Sequence, residues 1–219
     1  MKLIQNIKKF IGLVNKSDKM ESMGKSIMAP DIDLSTRDEN KCIELLSKAL
    51  KTNRNDAVLF GAVAMGVYGY QRNTLDIDFM LPEKDFENFK SILEAIGYKK
   101  ILQTVQYAKF RHKNEAFMDI DTVFIAENTA DEIKKLAEEK NIGEENSFLC
   151  ASWETLLATK LHAVKYNNEN RGGKDVIDIK MLIKANKIDI TGEWFKVLCV
   201  KYGGQDVYNK FFSNDEGGE

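Results

Sequence analysis

Leu75-Asp76-Ile77-Asp78-Phe79 is the stretch that decides the fold. Three apolar residues alternate with two acids, and side chains two apart on a strand share a face. The pattern therefore predicts a β-strand over 75–81 that turns Leu75, Ile77 and Phe79 inward and holds Asp76 and Asp78 side by side. Adjacent carboxylates repel, and each raises the other's pKa. A hard divalent cation, which prefers carboxylate oxygens, relieves that repulsion. A merely solvated strand edge is the bland alternative.

Outward from this segment, Val58-Leu59-Phe60 reads as a short buried strand that stops at Gly61, with a helix following over 62–70. Glycine at such a junction lets the backbone approach a ligand, and the first helical amides can hold phosphate oxygens; simple chain reversal is the other reading. Arg72 and Thr74 precede the acidic pair and offer donors suited to phosphate, although Arg72 could equally pair with Asp76. Downstream, Pro82 ends the strand and 83–96 is predicted helical, with Phe86, Phe89, Ile92, Leu93 and Ile96 inward. Strands are expected over 98–104, 106–112 and 116–125. On the last of these, Asp119 and Asp121 share a face, and either could supply a third carboxylate.

A helix over 38–51 precedes this region, and past Thr129 the chain is expected to be almost wholly helical, over 131–141, 152–167, 174–186 and 193–211. The fold class is α+β: a mixed-sheet lobe flanked by helices, followed by a mainly helical C-terminal lobe. The expected divisions are an arm and linker over 1–36, a catalytic lobe over 37–130 and the helical lobe over 131–219. In the arm, Ile4, Ile7, Ile11 and Val14 recur at helical spacing.

Composition narrows the function. The 219 residues carry 32 Lys plus Arg against 34 Asp plus Glu, a formal charge of −2, which excludes a protein that coats nucleic acid by blanket phosphate neutralisation. Cys42, Cys150 and Cys199 form no CxxC pair, and His112 and His162 are the only histidines, so neither a disulfide framework nor a zinc knuckle is expected. No apolar run approaches the roughly 18 residues of a bilayer span, and the reading is cytoplasmic with no membrane partner. Lys99, Lys100, Lys109, Arg111, His112 and Lys113, with Tyr98 and Tyr107 interleaved, make a basic hairpin: a nucleic-acid surface or a plain solvated sheet face.

Gly61-Ala62-Val63-Ala64-Met65, followed by Arg72-Asn73-Thr74-Leu75-Asp76-Ile77-Asp78-Phe79, resembles the opening motif of the DNA polymerase β-like nucleotidyltransferases. The likeness is greatest to the abortive-infection nucleotidyltransferase toxins (AbiEii-like) and their bacterial relatives. Ile120-Asp121-Thr122-Val123-Phe124 resembles the next motif. Thr159-Lys160-Leu161-His162, Arg171 and then Lys174-Asp175-Val176-Ile177-Asp178 resemble those of the helical lobe. The resemblance spans about residues 40–185.

It implies a metal-dependent nucleotidyltransferase. NTP would bind at Gly61 and Ala62 with help from Arg72, Thr74, Lys160 and Lys174. Asp76, Asp78 and Asp121 would be both catalytic and metal-binding, holding two Mg²⁺ ions (or Mn²⁺). Asp119, Asp175 and Asp178 would support them, and Asp119 is the alternative third carboxylate. The implied acceptor is a hydroxyl of RNA, tRNA or protein, with an antitoxin as protein partner. A small-molecule antibiotic acceptor, a non-catalytic binder of the same fold and a metal-dependent nuclease are the competing readings. Ala62 departs from the Gly or Ser of many members, removing a hydroxyl but keeping the amide. By spacing alone Lys160 on an apolar stripe would snorkel to solvent, and Lys174, Asp175 and Asp178 could form a self-contained ion-pair cluster.

Overall fold

The computed structural model describes residues 38–143, 145–166 and 172–212. The arm over 1–36 and Arg171 lie outside the described residues. The chain opens with α1 (Glu39–Thr52), whose N-cap Asp38 accepts a hydrogen bond from the Lys41 amide at 3.2 Å. Cys42, Ile43, Leu46 and Leu50 recur on its buried side. Strand β1 (Val58–Phe60), helix α2 (Gly61–Val67), strand β2 (Asp76–Pro82), a 3₁₀ turn (Glu83–Asp85) and helix α3 (Phe86–Ala95) follow. Then come β3 (Tyr98–Gln103), β4 (Tyr107–His112), β5 (Asp119–Ile125) and α4 (Glu127–Leu136).

The strands form one seven-stranded mixed sheet in the order β3-β4-β5-β2-β1-β7-β6. Strands β6 (Glu138–Ile142) and β7 (Asn146–Cys150) come from a stretch expected to be partly helical. They form an antiparallel hairpin, and β7 runs parallel to β1 with Leu59 opposite Cys150. The sheet therefore continues past residue 130, where the helical lobe was expected to begin. Nothing local announces this, because the hairpin is mostly charged and polar. Its strand character comes from burying Phe148 and Cys150 beside a strand about ninety positions earlier.

Ile77 and Phe79 are fully buried, as the alternation predicts, but Leu75 is 53% exposed because the strand starts one residue later, at Asp76. On the core side, Phe79 packs against Phe89 of α3 and Phe148 of β7, with ring centroids 5.5 and 6.1 Å apart. Phe86 meets Phe124 edge-on at 4.7 Å. The remaining helices are α5 (Trp153–Tyr166), α6 (Gly172–Ala185), α7 (Glu193–Tyr202) and α8 (Gln205–Phe211). The single helix expected over 193–211 is divided by Gly203-Gly204, where Gly204 takes φ +91°. Helix α5 packs against α2, α6 and α7, so the helical lobe lies over the β1–α2 side of the sheet. Among the described residues, no helix is long and apolar enough to cross a membrane.

Candidate active site

Strands β2 and β5 are parallel neighbours, in register so that Asp76 faces Asp119 and Asp78 faces Asp121. Four carboxylates thus share one face of the sheet. They do not share one environment. One oxygen from each of Asp76, Asp78 and Asp121 lies within 4.8 Å of the others. Asp119 turns away: Arg111 donates to it through Nε at 3.2 Å and Nη2 at 3.1 Å, and Lys109 Nζ stands 3.8 Å off. Between the two acids that spacing left open, the geometry brings Asp121 to the pair.

Burial pushes the Asp78 carboxyl up to about 8, and the charges of Asp76 and Asp121 add to that; Lys160 and Arg72 offset part of it. Burial likewise raises Asp121 to about 6, with Lys109 and a hydrogen bond from Tyr107 working against the rise. Oδ1 of Asp121 is buried without a hydrogen bond, 3.4 Å from Lys109 Nζ. Three convergent carboxylates, all oxygen donors, one oriented by the Thr74 hydroxyl (2.6 Å to Asp76 Oδ1) and one with an orphaned oxygen, suit a hard divalent cation. Without one, the cluster must hold protons to limit its own repulsion.

Gly61 sits against this cluster at φ +70°. A Cβ there would stand 1.9 Å from Asp78 Oδ2, so no residue larger than glycine fits without displacing the carboxylate. The bare backbone at the start of α2 consequently touches the acidic site. Ala62, next along, is buried.

The cations expected near a ligand are arranged differently. Arg72 does not pair with Asp76; it grips Asp178 of α6 through Nε at 2.9 Å and Nη2 at 3.2 Å. Lys160 of α5 stands 2.7 Å from both Asp175 and Asp178. Burial works against the Lys160 charge, but the two aspartates outweigh it and raise its pKa. Tyr70 adds a hydrogen bond to Asp178, which is 1% exposed. This buried ion-pair group ties the segment before β2 to the helical lobe, and its two cations still act on Asp78. Lys160 therefore does not snorkel, and Lys174 lies on the exposed side of α6.

Three residues near the site are not assigned to it by sequence reasoning: Lys109 and Tyr107, read there only as part of the basic hairpin, and Tyr70. For Lys109 a signal existed, because it alternates with Arg111 and so faces the same way. The basic hairpin itself is only partly available. Tyr98 and Tyr107 are buried, with the Tyr98 hydroxyl bonded to Met118 O at 3.1 Å, and the His112 ring is buried against Ile96 O. Neither tyrosine presents a face for stacking.

The model of a family described as "Nucleotidyl transferase AbiEii toxin, Type IV TA system" matches residues 44–216. No curated protein matches the sequence. Among solved structures, the solution structure of the antibiotic-resistance factor ANT(2'')-Ia superposes with a TM-score of 0.56 at 16% identity, covering 78% of this chain and 96% of that one. The crystal structure of ANT(2'')-Ia in complex with adenylyl-2''-tobramycin also gives 0.56, at 17% identity, covering 74% and 97%. At such identities the likeness is one of fold.

Proposed function

The chain belongs to the AbiEii nucleotidyl transferase family and is a nucleotidyltransferase; from this premise we propose that it moves a nucleoside monophosphate from an NTP to a hydroxyl of RNA, such as a tRNA, as the toxin of a pair with an antitoxin protein. The observation that carries the chemistry is the convergence of Asp76, Asp78 and Asp121 within 4.8 Å of one another, with the Gly61 backbone against Asp78. In this reading the three carboxylates hold Mg²⁺, or Mn²⁺ in its place. When bound, such an ion neutralises phosphate charge and lowers the pKa of an attacking hydroxyl.

The chain's own groups do the rest. Gly61 and the Ala62 amide leave room for the phosphates beside Asp78. Thr74 fixes one oxygen of Asp76. Arg72 and Lys160, locked by Asp175 and Asp178, maintain positive charge beside Asp78 for the triphosphate, and Lys174, exposed on α6, would add a further contact to it. Asp121 takes the proton of the acceptor hydroxyl. The acceptor oxygen bonds to the α-phosphorus, the bond from that phosphorus to the bridging oxygen breaks, and pyrophosphate leaves with the electron pair.

Two measurements test this. NTP with Mg²⁺ should raise the melting temperature of the wild type clearly more than that of Asp76→Ala/Asp78→Ala; equal shifts refute it. Radiolabelled NTP incubated with cell extract should label RNA. Label on protein alone, or shortened RNA without NTP consumption, would replace the acceptor or the reaction class.

A further inference from the structure

Across the sheet, Gly61 and Lys109 flank the triad from opposite sides. Phe60, which precedes Gly61, lies opposite Asp78 in the β1–β2 register, while Lys109 lies opposite Asp121 in the β4–β5 register. The cations divide in the same way. Arg72 and Lys160 act on Asp78, and Lys109 acts on Asp121. Arg72 and Lys160 are held tightly, 2.7 to 2.9 Å from their aspartates, whereas Lys109 Nζ stands looser, 3.4 Å from Asp121 and 3.8 Å from Asp119.

Beyond Lys109 the same face continues with Arg111 and then, opposite it on the edge strand, Lys99; both are exposed. Among the described residues, the C-terminal helices pack mainly on one another and on α2 rather than along β3 or β4. Among the described residues, the helical lobe thus lies on one side of the acidic cluster, and a row of basic side chains, Arg111 among them paired with Asp119, lies on the other.

We propose that this face of β4 and β3 is where the acceptor docks, and that Lys109 is the side chain on it that touches the acceptor at its reacting end. The inference rests on the transfer reaction proposed above and adds the side from which the second substrate arrives. An acceptor oxygen giving its proton to Asp121 comes within reach of Lys109 Nζ, 3.4 Å from the carboxylate. An ammonium there is placed to stabilise charge growing on the attacking oxygen. Lys99 and Arg111 then engage flanking phosphates of an RNA acceptor. Because Tyr98 and Tyr107 are buried, the grip is on phosphate rather than on bases. It is therefore tolerant of sequence and sensitive to salt.

The test uses the full chain with radiolabelled NTPs and total cellular RNA, titrating each substrate separately, alongside binding of a fluorescent tRNA pool across a salt series. Lys109→Met should raise half-saturation by RNA about tenfold and lower turnover about tenfold or more, with the NTP KM within about twofold of wild type. Lys109→Arg should recover most of the loss. Lys99→Met/Arg111→Met should weaken tRNA binding and reduce its salt slope by about two. A retained melting shift with NTP and Mn²⁺ shows that each variant is folded.

An NTP KM that rises in Lys109→Met while the RNA terms stay fixed would overturn the proposal, as would a salt slope unchanged in the double variant. Wild type that binds tRNA through these residues but transfers no label would sink the transfer reaction and keep the surface. Wild type that binds no RNA, or labels protein alone, would sink the surface.

Discussion

Binding a divalent cation at the triad is expected to be a proton exchange, with pH as the perturbation. At pH 7, Asp78, pushed up to about 8, holds about 0.9 of a proton and Asp121, near 6, about 0.1, so one cation displaces about one proton. At pH 6 the two hold about 1.5 together, and at pH 8.5 about 0.2. The apparent affinity should therefore tighten roughly 150-fold between pH 6 and pH 8.5, about 3 kcal/mol, and level off above pH 8. Calorimetric titration with Mn²⁺ in buffers of different ionisation enthalpy reads both quantities, the affinity directly and the proton count from the buffer dependence. Asp78→Asn, which cannot exchange that proton, should retain only the roughly twofold dependence due to Asp121. An affinity varying less than about threefold over this range, or no proton release at pH 7, refutes the reasoning.

Folding stability carries the same signature with a definite sign. Because Asp78 is raised in the folded state from 3.8 to about 8, the metal-free fold binds more protons than the unfolded chain across that window and loses stability as pH rises through it. Metal-free Asp78→Asn should accordingly melt higher than wild type at pH 8, by about 1 kcal/mol or more in thermal unfolding, and Mg²⁺ should stabilise wild type more at pH 8 than at pH 6. Gly61→Ala should cost about 1 kcal/mol or more from its positive φ and weaken Mn²⁺ binding by displacing Asp78, as read by denaturant melts and titration. Asp178→Ala strands Arg72 and Lys160 without their shared partner and should cost about 3–5 kcal/mol. By comparison, Lys84→Ala, which breaks an exposed pair with Glu127, should cost under about 1 kcal/mol in the same urea titration.

The alternation at Leu75–Phe79 was enough to place two acids on one face and two apolar side chains in the core, because strand periodicity is a local property. It could not say where the strand begins, so Leu75 was expected inside and is exposed. Whether Asp119 or Asp121 joins the pair also lay beyond it. On one strand the two acids are equivalent, and the neighbour on β4 separates them: Arg111 takes Asp119 outward. For the same reason Lys109 looked like one member of a basic run until the register set it opposite Asp121. The β6–β7 hairpin was illegible because its charged residues carry no period and its placement depends on pairing with β1. The Arg72–Asp178 pair spans over a hundred positions, and only the docking of α6 creates it.

Strand β1 lies inside the sheet, yet one of its two neighbours is the last long-range strand partner to be synthesised. A ribosome that stalls before Cys150 leaves a polypeptide whose Leu59 edge stays open and whose last third, with Lys160 and Asp178, is missing. An open edge of this kind invites aggregation and degradation. A product cut short before Cys150 is therefore expected to be inactive, because the sheet and the ion-pair group beside the triad are both incomplete.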